Sequence, residues 1–412
     1  MAGDLIIDFF DVGQGDGTLI QFPNGKTMLV DMGSKKNRAV TMPDVIAYCK
    51  GYEVDEKTGE KKPFTPFMNT GQTLDYLVLT HGHGDHNNML MQFLKELSIA
   101  TVTSFLYGGM KGDYGISGNN VIEELTTAYQ PPPKLIQKGK QIPPFDLITP
   151  DVTGGVQVRV LAWNALPSAM SHQRKNTNSV VLQLLYAGFS VILTGDATRD
   201  TEMSILKAAS KDKRELNTLF CDVLKGPHHG STGTSYDSRW ISQVNPSYVI
   251  FSADRHGALD SGISTGYKHV RQLAISIIQA YATKLAKDCE EHPYVAAYVP
   301  KDYEDYNDPS PKPKKLTDPY KGQARGWNNP STRLGIFTTL GQIDAENKKN
   351  EKADLGLQYQ VRVNAAARRL TVYSTEFKTN GPAKKPGAEK KKTALASLQE
   401  SIRSTQTRGE QR

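Results

Sequence analysis

The chain has 412 residues, of which 38% are hydrophobic and 23% charged, with a mean hydropathy of −0.48 and a formal net charge of +7 at pH 7. Its apolar residues gather in compact blocks such as Leu5–Phe10, Leu74–Leu79 and Val180–Leu185, which excludes a wholly disordered chain. No run approaches the roughly 18 apolar residues a membrane-spanning helix needs, so no membrane association is expected.

The start carries acids at Asp4 and Asp8 and no basic leader, which argues against a secretory signal and predicts a cytoplasmic protein. Residues 4–32 read as consecutive strands, with a glycine-rich turn from Gly13 to Gly17 and a tight hairpin at Asn24-Gly25. A polar insertion over about 35–71 follows, with a helix around Pro43–Lys50. Leu74–Thr80 reads as a buried strand, and a helix is expected across Asn88–Leu97. Next come a strand at Thr101–Tyr107, a helix near Val121–Tyr129 and a strand at Val156–Ala162. Strands at Val180–Tyr186 and Phe189–Thr194, a helix at Asp200–Ala209, and strands at Asp222–Lys225 and Tyr248–Ser252 continue the pattern. Val270–Lys287 has helical spacing of Leu273, Ile277, Ile278 and Tyr281. A second insertion spans about 287–329, and strands at Leu334–Thr339, Gln358–Val363 and Leu370–Tyr373 complete a domain ending near 376.

Charge is concentrated beyond that domain. Residues 378–412 hold nine basic and three acidic residues, a net of +6, so the rest of the chain is nearly neutral. This tail, 377–412, is rich in Gly, Pro and Lys and predicts disorder. It serves either as a solubilising segment or as an electrostatic grip on a phosphate backbone. Cys49, Cys221 and Cys289 stand in no CxxC spacing, which argues for reduced structural thiols.

The most specific signal is His81-Gly82-His83-Gly84-Asp85-His86, directly after an apolar strand. Four donors within six residues allow His81 and His83 to face one metal and Asp85 and His86 a second. Neutral imidazole and carboxylate suit zinc, manganese or iron. Asp196 closes a strand at a Gly-Asp turn, where a carboxylate can bridge two cations. His228-His229 again follows a strand; one can ligate while the other donates a proton or meets phosphate, and spacing does not decide which.

The order HxHxDH, Gly-Asp and HHGS, preceded by DVGQGDG, resembles the metallo-β-lactamase superfamily. More narrowly it is similar to the C-terminal metallo-hydrolase domain of the ComEC DNA-uptake proteins and their soluble relatives. The residues carrying the resemblance are Phe10–Gly17, Leu29–Gly33, Asp75–His86, Asn176–Leu184, Leu193–Asp196 and Asp222–Ser231. It implies an α/β fold, an αββα sandwich with the metal site at one rim. It also implies one or two divalent ions, Zn or Mn, held by His81, His83, Asp85, His86, Asp196 and His228. Asp85, Asp196 and His229 would act in catalysis, and Asp31 would orient a ligating histidine. Lys225, the non-ligating histidine and Ser231 would meet phosphoryl oxygens. Many relatives place a further histidine between the first motif and the Gly-Asp; the matching loop here reads Asn176-Thr177-Asn178-Ser179, which puts Asn178 near the site and leaves His172 as the alternative. His256 occupies a rim position where the family's tyrosine and proline are missing.

The function implied is a metal-dependent phosphodiesterase or nuclease acting on DNA through a metal-bound hydroxide. Two alternatives stand beside it. One is a metallo-hydrolase of a small substrate such as a nucleotide, phosphoester or lactone; the other is a partner-dependent component of a multi-protein system that docks through the insertions.

Overall fold

The computed structural model describes residues 3–10, 12, 14–34, 45–46, 49, 52–54, 61–63, 73–116, 119–136, 144–148, 154–165, 173–231, 234–252, 274, 277–278, 335–338, 355–366 and 369–378. His172, His256, Cys289, the bulk of both insertions and the tail beyond Lys378 lie outside the described residues.

Strands β1 (Asp4–Phe9), β2 (Gly17–Gln21) and β3 (Thr27–Met32) come first. The β2–β3 hairpin closes as expected: Gly25 adopts φ +82°, and its N–H donates to the Phe22 carbonyl at 2.8 Å. Two short strands, β4 (Tyr52–Val54) and β5 (Lys61–Pro63), pair with each other inside the first insertion. Then β6 (Thr73–Leu79) leads into helices α1 (Gly84–Asn87) and α2 (Leu90–Glu96), followed by β7 (Thr101–Tyr107). The small pair β8 (Gly115–Ile116) and β9 (Asn119–Asn120) precedes helix α3 (Val121–Ala128), whose first turn is capped by the Asn120 side chain. Strand β10 (Lys134–Leu135) ends this half.

The second half runs β11 (Gln157–Ala162), α4 (Arg174–Thr177), β12 (Val181–Tyr186), β13 (Phe189–Leu193) and α5 (Arg199–Ala209). It continues through α6 (Lys213–Thr218), β14 (Val223–Lys225), α7 (Ser238–Val244), β15 (Tyr248–Phe251) and β16 (Gly335–Thr338). The long hairpin β17 (Leu355–Asn364) and β18 (Arg369–Lys378) follows, reaching two residues past the expected domain boundary at 376.

These strands form two mixed sheets, ordered β10-β7-β6-β3-β2-β1-β17-β18 and β11-β12-β13-β14-β15-β16. Alternation along each strand sorts side chains into layers. Leu5, Ile7, Tyr76 and Val78 of the first sheet meet Leu182, Leu184, Val191, Val223 and Ile250 of the second in one buried core. The opposite face of the first sheet, with Leu29, Leu77 and Phe105, packs on Leu90, Phe93 and Leu94 of α2 and Ile122 and Leu125 of α3. The outer face of the second, with Val181, Ile192, Leu224 and Val249, packs on Ile205 of α5 and Trp240, Ile241 and Val244 of α7. The layer order is helix, sheet, sheet, helix: the αββα sandwich expected from the sequence.

The C-terminal hairpin is the main departure from chain order. Strand β17 pairs antiparallel with β1, setting Asp4 opposite Asn364 and Phe9 opposite Tyr359. Cys49 and Cys221 are buried free thiols, and burial pushes both well up from their ordinary pKa. Among the described residues no helix is long and apolar enough to cross a membrane.

Candidate metal centre

Five strands, β3, β6, β13, β14 and β15, run with their C-terminal ends toward one rim of the sandwich, where the parallel pairings β3–β6 and β13–β14–β15 align them. Each delivers a polar residue at or just past its C-terminal end: Asp31 as the penultimate residue of β3, His81 and His83 beyond β6, Asp196 beyond β13, His228 and His229 beyond β14, and Ser252 beyond β15. Helix α1 then presents Asp85 and His86.

Glycine permits this convergence at two points. A side chain on Gly15 would collide with the Gly33 and Asp85 carbonyls, so the glycine-rich turn after β1 serves close packing of three segments. Gly195, at φ +51°, faces Thr80 with no room for a Cβ.

The donor atoms gather around Asp196. His86 Nε2 lies 3.2 Å from Asp196 Oδ1 and His229 Nε2 3.5 Å from the same oxygen, while His81 Nε2 is 3.7 Å from Oδ2. His81 Nε2 and His83 Nδ1 are 3.0 Å apart, and Asp85 Oδ2 is 3.8 Å from His229 Nε2. Two groupings follow, each with ligand atoms within 4.8 Å of one another: His81, His83 and Asp196, and Asp85, His86 and His229.

Hydrogen bonds settle which nitrogen each ring offers. His229 Nδ1 must donate to the Ser252 carbonyl at 2.6 Å, and His86 Nδ1 donates to Asp31 Oδ2 at 2.8 Å. Thr80 gives its hydroxyl proton to Asp31 Oδ2 at 2.6 Å, so its oxygen accepts from His81 Nδ1 at 3.1 Å. All three rings therefore present the Nε2 lone pair to the cluster, the arrangement that suits a metal ligand. Asp31 also accepts the Thr80 N–H at 2.7 Å, which fixes the start of the histidine loop.

A divalent cation fits this donor set. Buried His86 Nε2 and Asp196 Oδ1 make no hydrogen bond of proper angle despite their proximity, and a buried carboxylate is costly unless a cation answers it. Burial pushes the His81 pKa well down, with His86 adding to the effect. Burial would also lower His86, but the Asp196, Asp31 and Asp16 carboxylates outweigh it and raise it. Burial works to raise Asp196, yet the His229, His86 and His228 rings hold it well below the usual carboxylate range.

The two adjacent histidines have different places. His229 is 1% exposed and sits among the donors, whereas His228 lies at the rim. There His228 Nε2 accepts from Asn176 Nδ2 at 3.3 Å and its Nδ1 is 2.8 Å from Thr234 Oγ1, with Nε2 3.7 Å from Asp196. The geometry thus favours His229 in the donor position that the family resemblance gave to His228. Lys225 also differs from expectation. It is buried, salt-bridged to Asp16, and donates to the Gly195 carbonyl at 3.0 Å, so its ammonium does not reach a substrate phosphoryl group. Ser231 is buried too, and its N–H closes the turn onto the His228 carbonyl. Asn178 caps α4, its N–H donating to the Arg174 carbonyl at 3.1 Å.

Several contributors escaped the sequence reading. Lys175 donates to the carbonyls of Gly82 and Asp113 at 3.1 and 3.0 Å, and Arg174 pairs with Asp113, so α4 clamps the histidine loop from outside. Asp16 is buried inside the cluster; its only sequence signal was its place in DVGQGDG, which by itself reads as a turn.

No family model matches the chain. Among curated proteins it is similar to ComE operon protein 3 of Bacillus subtilis, 24% identical over 294 residues, covering 68% of this chain and 31% of that protein. The chain thus spans about a third of that relative's length. Solved structures similar to it include the metallo-β-lactamase fold protein YhfI from Bacillus subtilis, 14% identical with a TM-score of 0.33 over 60% of this chain and 86% of the other. The metallo-β-lactamase MIM-1 from Novosphingobium pentaromativorans is 14% identical with a TM-score of 0.28, over 68% and 88%. The curated relative is of the ComEC-like kind that the motifs resemble, and the αββα layers carry a rim of histidine and aspartate donors.

Proposed function

We propose that the chain is a metal-dependent phosphodiesterase acting on nucleic acid, DNA first. The observation that supports the chemistry is the convergence of imidazole Nε2 and carboxylate groups on Asp196 at the open rim. In this reading His81, His83 and Asp196 hold one divalent ion, and Asp85, His86 and His229 a second that Asp196 also faces. A bound divalent ion supplies Lewis acidity and brings the pKa of its water toward neutrality.

The protein's own groups do the rest. Asp31, through His86 and Thr80, fixes ring orientation and tautomer. Asp85, whose side chain keeps 15% exposure, is the carboxylate placed to orient the attacking water and take its proton. His228 stands on the substrate side, where Asn176 and Thr234 fix its ring in place to meet the substrate.

Nucleic acid as substrate is supported by the resemblance to DNA-uptake hydrolase domains and by the +6 charge of residues 378–412. The test is cleavage of single- and double-stranded DNA by protein reconstituted with Zn²⁺ or with Mn²⁺, with Asp196→Ala as control and a small chromogenic phosphodiester alongside. Cleavage of DNA that vanishes in the control supports the reading. Turnover of the small diester alone moves the assignment to a small-molecule hydrolase.

A further inference from the structure

Asp16 lies among the ligand atoms yet is engaged elsewhere. It forms candidate groupings with Asp196 and His229, and with Asp31 and His86, each with ligand atoms within 4.8 Å. Its Oδ2 is 3.4 Å from His86 Nδ1 and its Oδ1 3.9 Å from His229 Nδ1. Both contacts are with the Nδ1 edges, so Asp16 stands behind the two rings, and its grouping with Asp196 and His229 is what brings a further carboxylate within reach of an ion at Asp196. Opposite stands Lys225, whose buried ammonium is salt-bridged to Asp16 Oδ2 and also bonded to the Gly195 carbonyl. One ammonium therefore joins the turn after β1, the turn that carries Asp196 and the strand that leads to His229. Two buried opposite charges in contact offset each other's desolvation, and neither is then available to a third group without loss.

We propose that Lys225 is a positioning residue that acts as a resident cation: it holds the Asp16 carboxylate away from the metal and reserves the ion for Asp85, His86, His229 and Asp196. The inference rests on the metal-binding reading above. It differs in sign from a purely structural role. Loss of a supporting strut weakens metal binding about 10- to 100-fold. Loss of a resident cation removes a like-charged neighbour and frees an anionic ligand, and both changes tighten binding.

The experiment uses the full chain, stripped of metal and titrated with Co²⁺ alone, reading its visible absorption. Lys225→Met is expected to bind Co²⁺ at least about tenfold more tightly. Its band should weaken, because an added carboxylate raises the coordination number. The double variant Asp16→Asn/Lys225→Met, which has no carboxylate to add, is expected to return the band to the wild-type form. If Lys225→Met does not fold, Asp16→Asn carries the test: an unaltered band supports the proposal, and an altered one shows Asp16 already ligating and overturns it. Weaker binding with an unaltered band in Lys225→Met also overturns it. A wild-type protein that develops no Co²⁺ band overturns the metal-binding reading itself, and this inference with it.

Discussion

The two histidine segments at the rim are built in different ways. Residues 81–86 pass from strand β6 into helix α1, so three imidazoles and a carboxylate are set by ordinary backbone geometry, with Asp31 beneath them. Residues 228 and 229 instead adopt φ of +48° and +51°, a left-handed conformation disfavoured for side-chain-bearing residues. Bonds to Ser252, Thr234 and Asn176 hold them there. The first segment is pre-formed by secondary structure; the second stores strain that its surroundings must balance, as often happens where function needs a side chain aimed unusually.

The contrast is broken most severely at the second segment's two members. His229→Ala is expected to lose one equivalent of bound metal, measured by elemental analysis after reconstitution. His228→Ala should retain the full metal content and lower kcat about 100-fold, as loss of a group that positions the substrate does. Equal metal loss in both variants would erase the distinction drawn between them.

A second intervention targets the segment that follows the strained turn. Glu202 on α5 is buried and accepts the Tyr236 and Asp237 N–H groups at 2.9 and 2.7 Å, and burial pushes its pKa up from 4.5 to about 7. A carboxyl with a raised pKa in the folded state binds its proton more tightly there than when unfolded, so ionisation costs stability. Stability should therefore fall as pH rises from 4.5 to 7 by about 3 kcal/mol, and level off above. Glu202→Gln is expected to flatten that slope in denaturant titrations across the same range.

Beneath the first segment, Asp31→Asn leaves the Thr80 contacts partly intact but weakens the hold on His86. A fall of about 10- to 100-fold in metal affinity is expected by calorimetry, the usual consequence of removing a ligand's orienting partner. The smallest effect concerns backbone strain alone. His228→Gly should be about 1 kcal/mol more stable than His228→Ala, because glycine takes φ +48° without penalty. The same exchange at His83, whose φ is −87°, should favour alanine.

The sequence made the first segment legible because its donors are contiguous and follow an apolar strand. Asp196 was legible for the same reason. The order of His228 and His229 was not, since two neighbours on a left-handed turn point differently and spacing carries no sign of φ. Lys225 and Asp16 were illegible as a pair because 209 residues separate them and only the folding of both sheets brings them together. The alternation of apolar residues revealed most strands, while the insertion of β17 beside β1 had no local signal at all.

That last pairing has a consequence in time. During synthesis the first strand is made hundreds of residues before its outer neighbour, since Asp4 waits for Asn364. Until residues 355–364 emerge from the ribosome, the open edge of β1 offers unpaired backbone groups to any passing strand. The half of the sandwich that bears Asp16 is therefore completed late, and such distant pairing makes refolding slow and exposed to aggregation. Shortening the chain ahead of β17 would leave that edge permanently open, even though every metal-site residue named above would still be present.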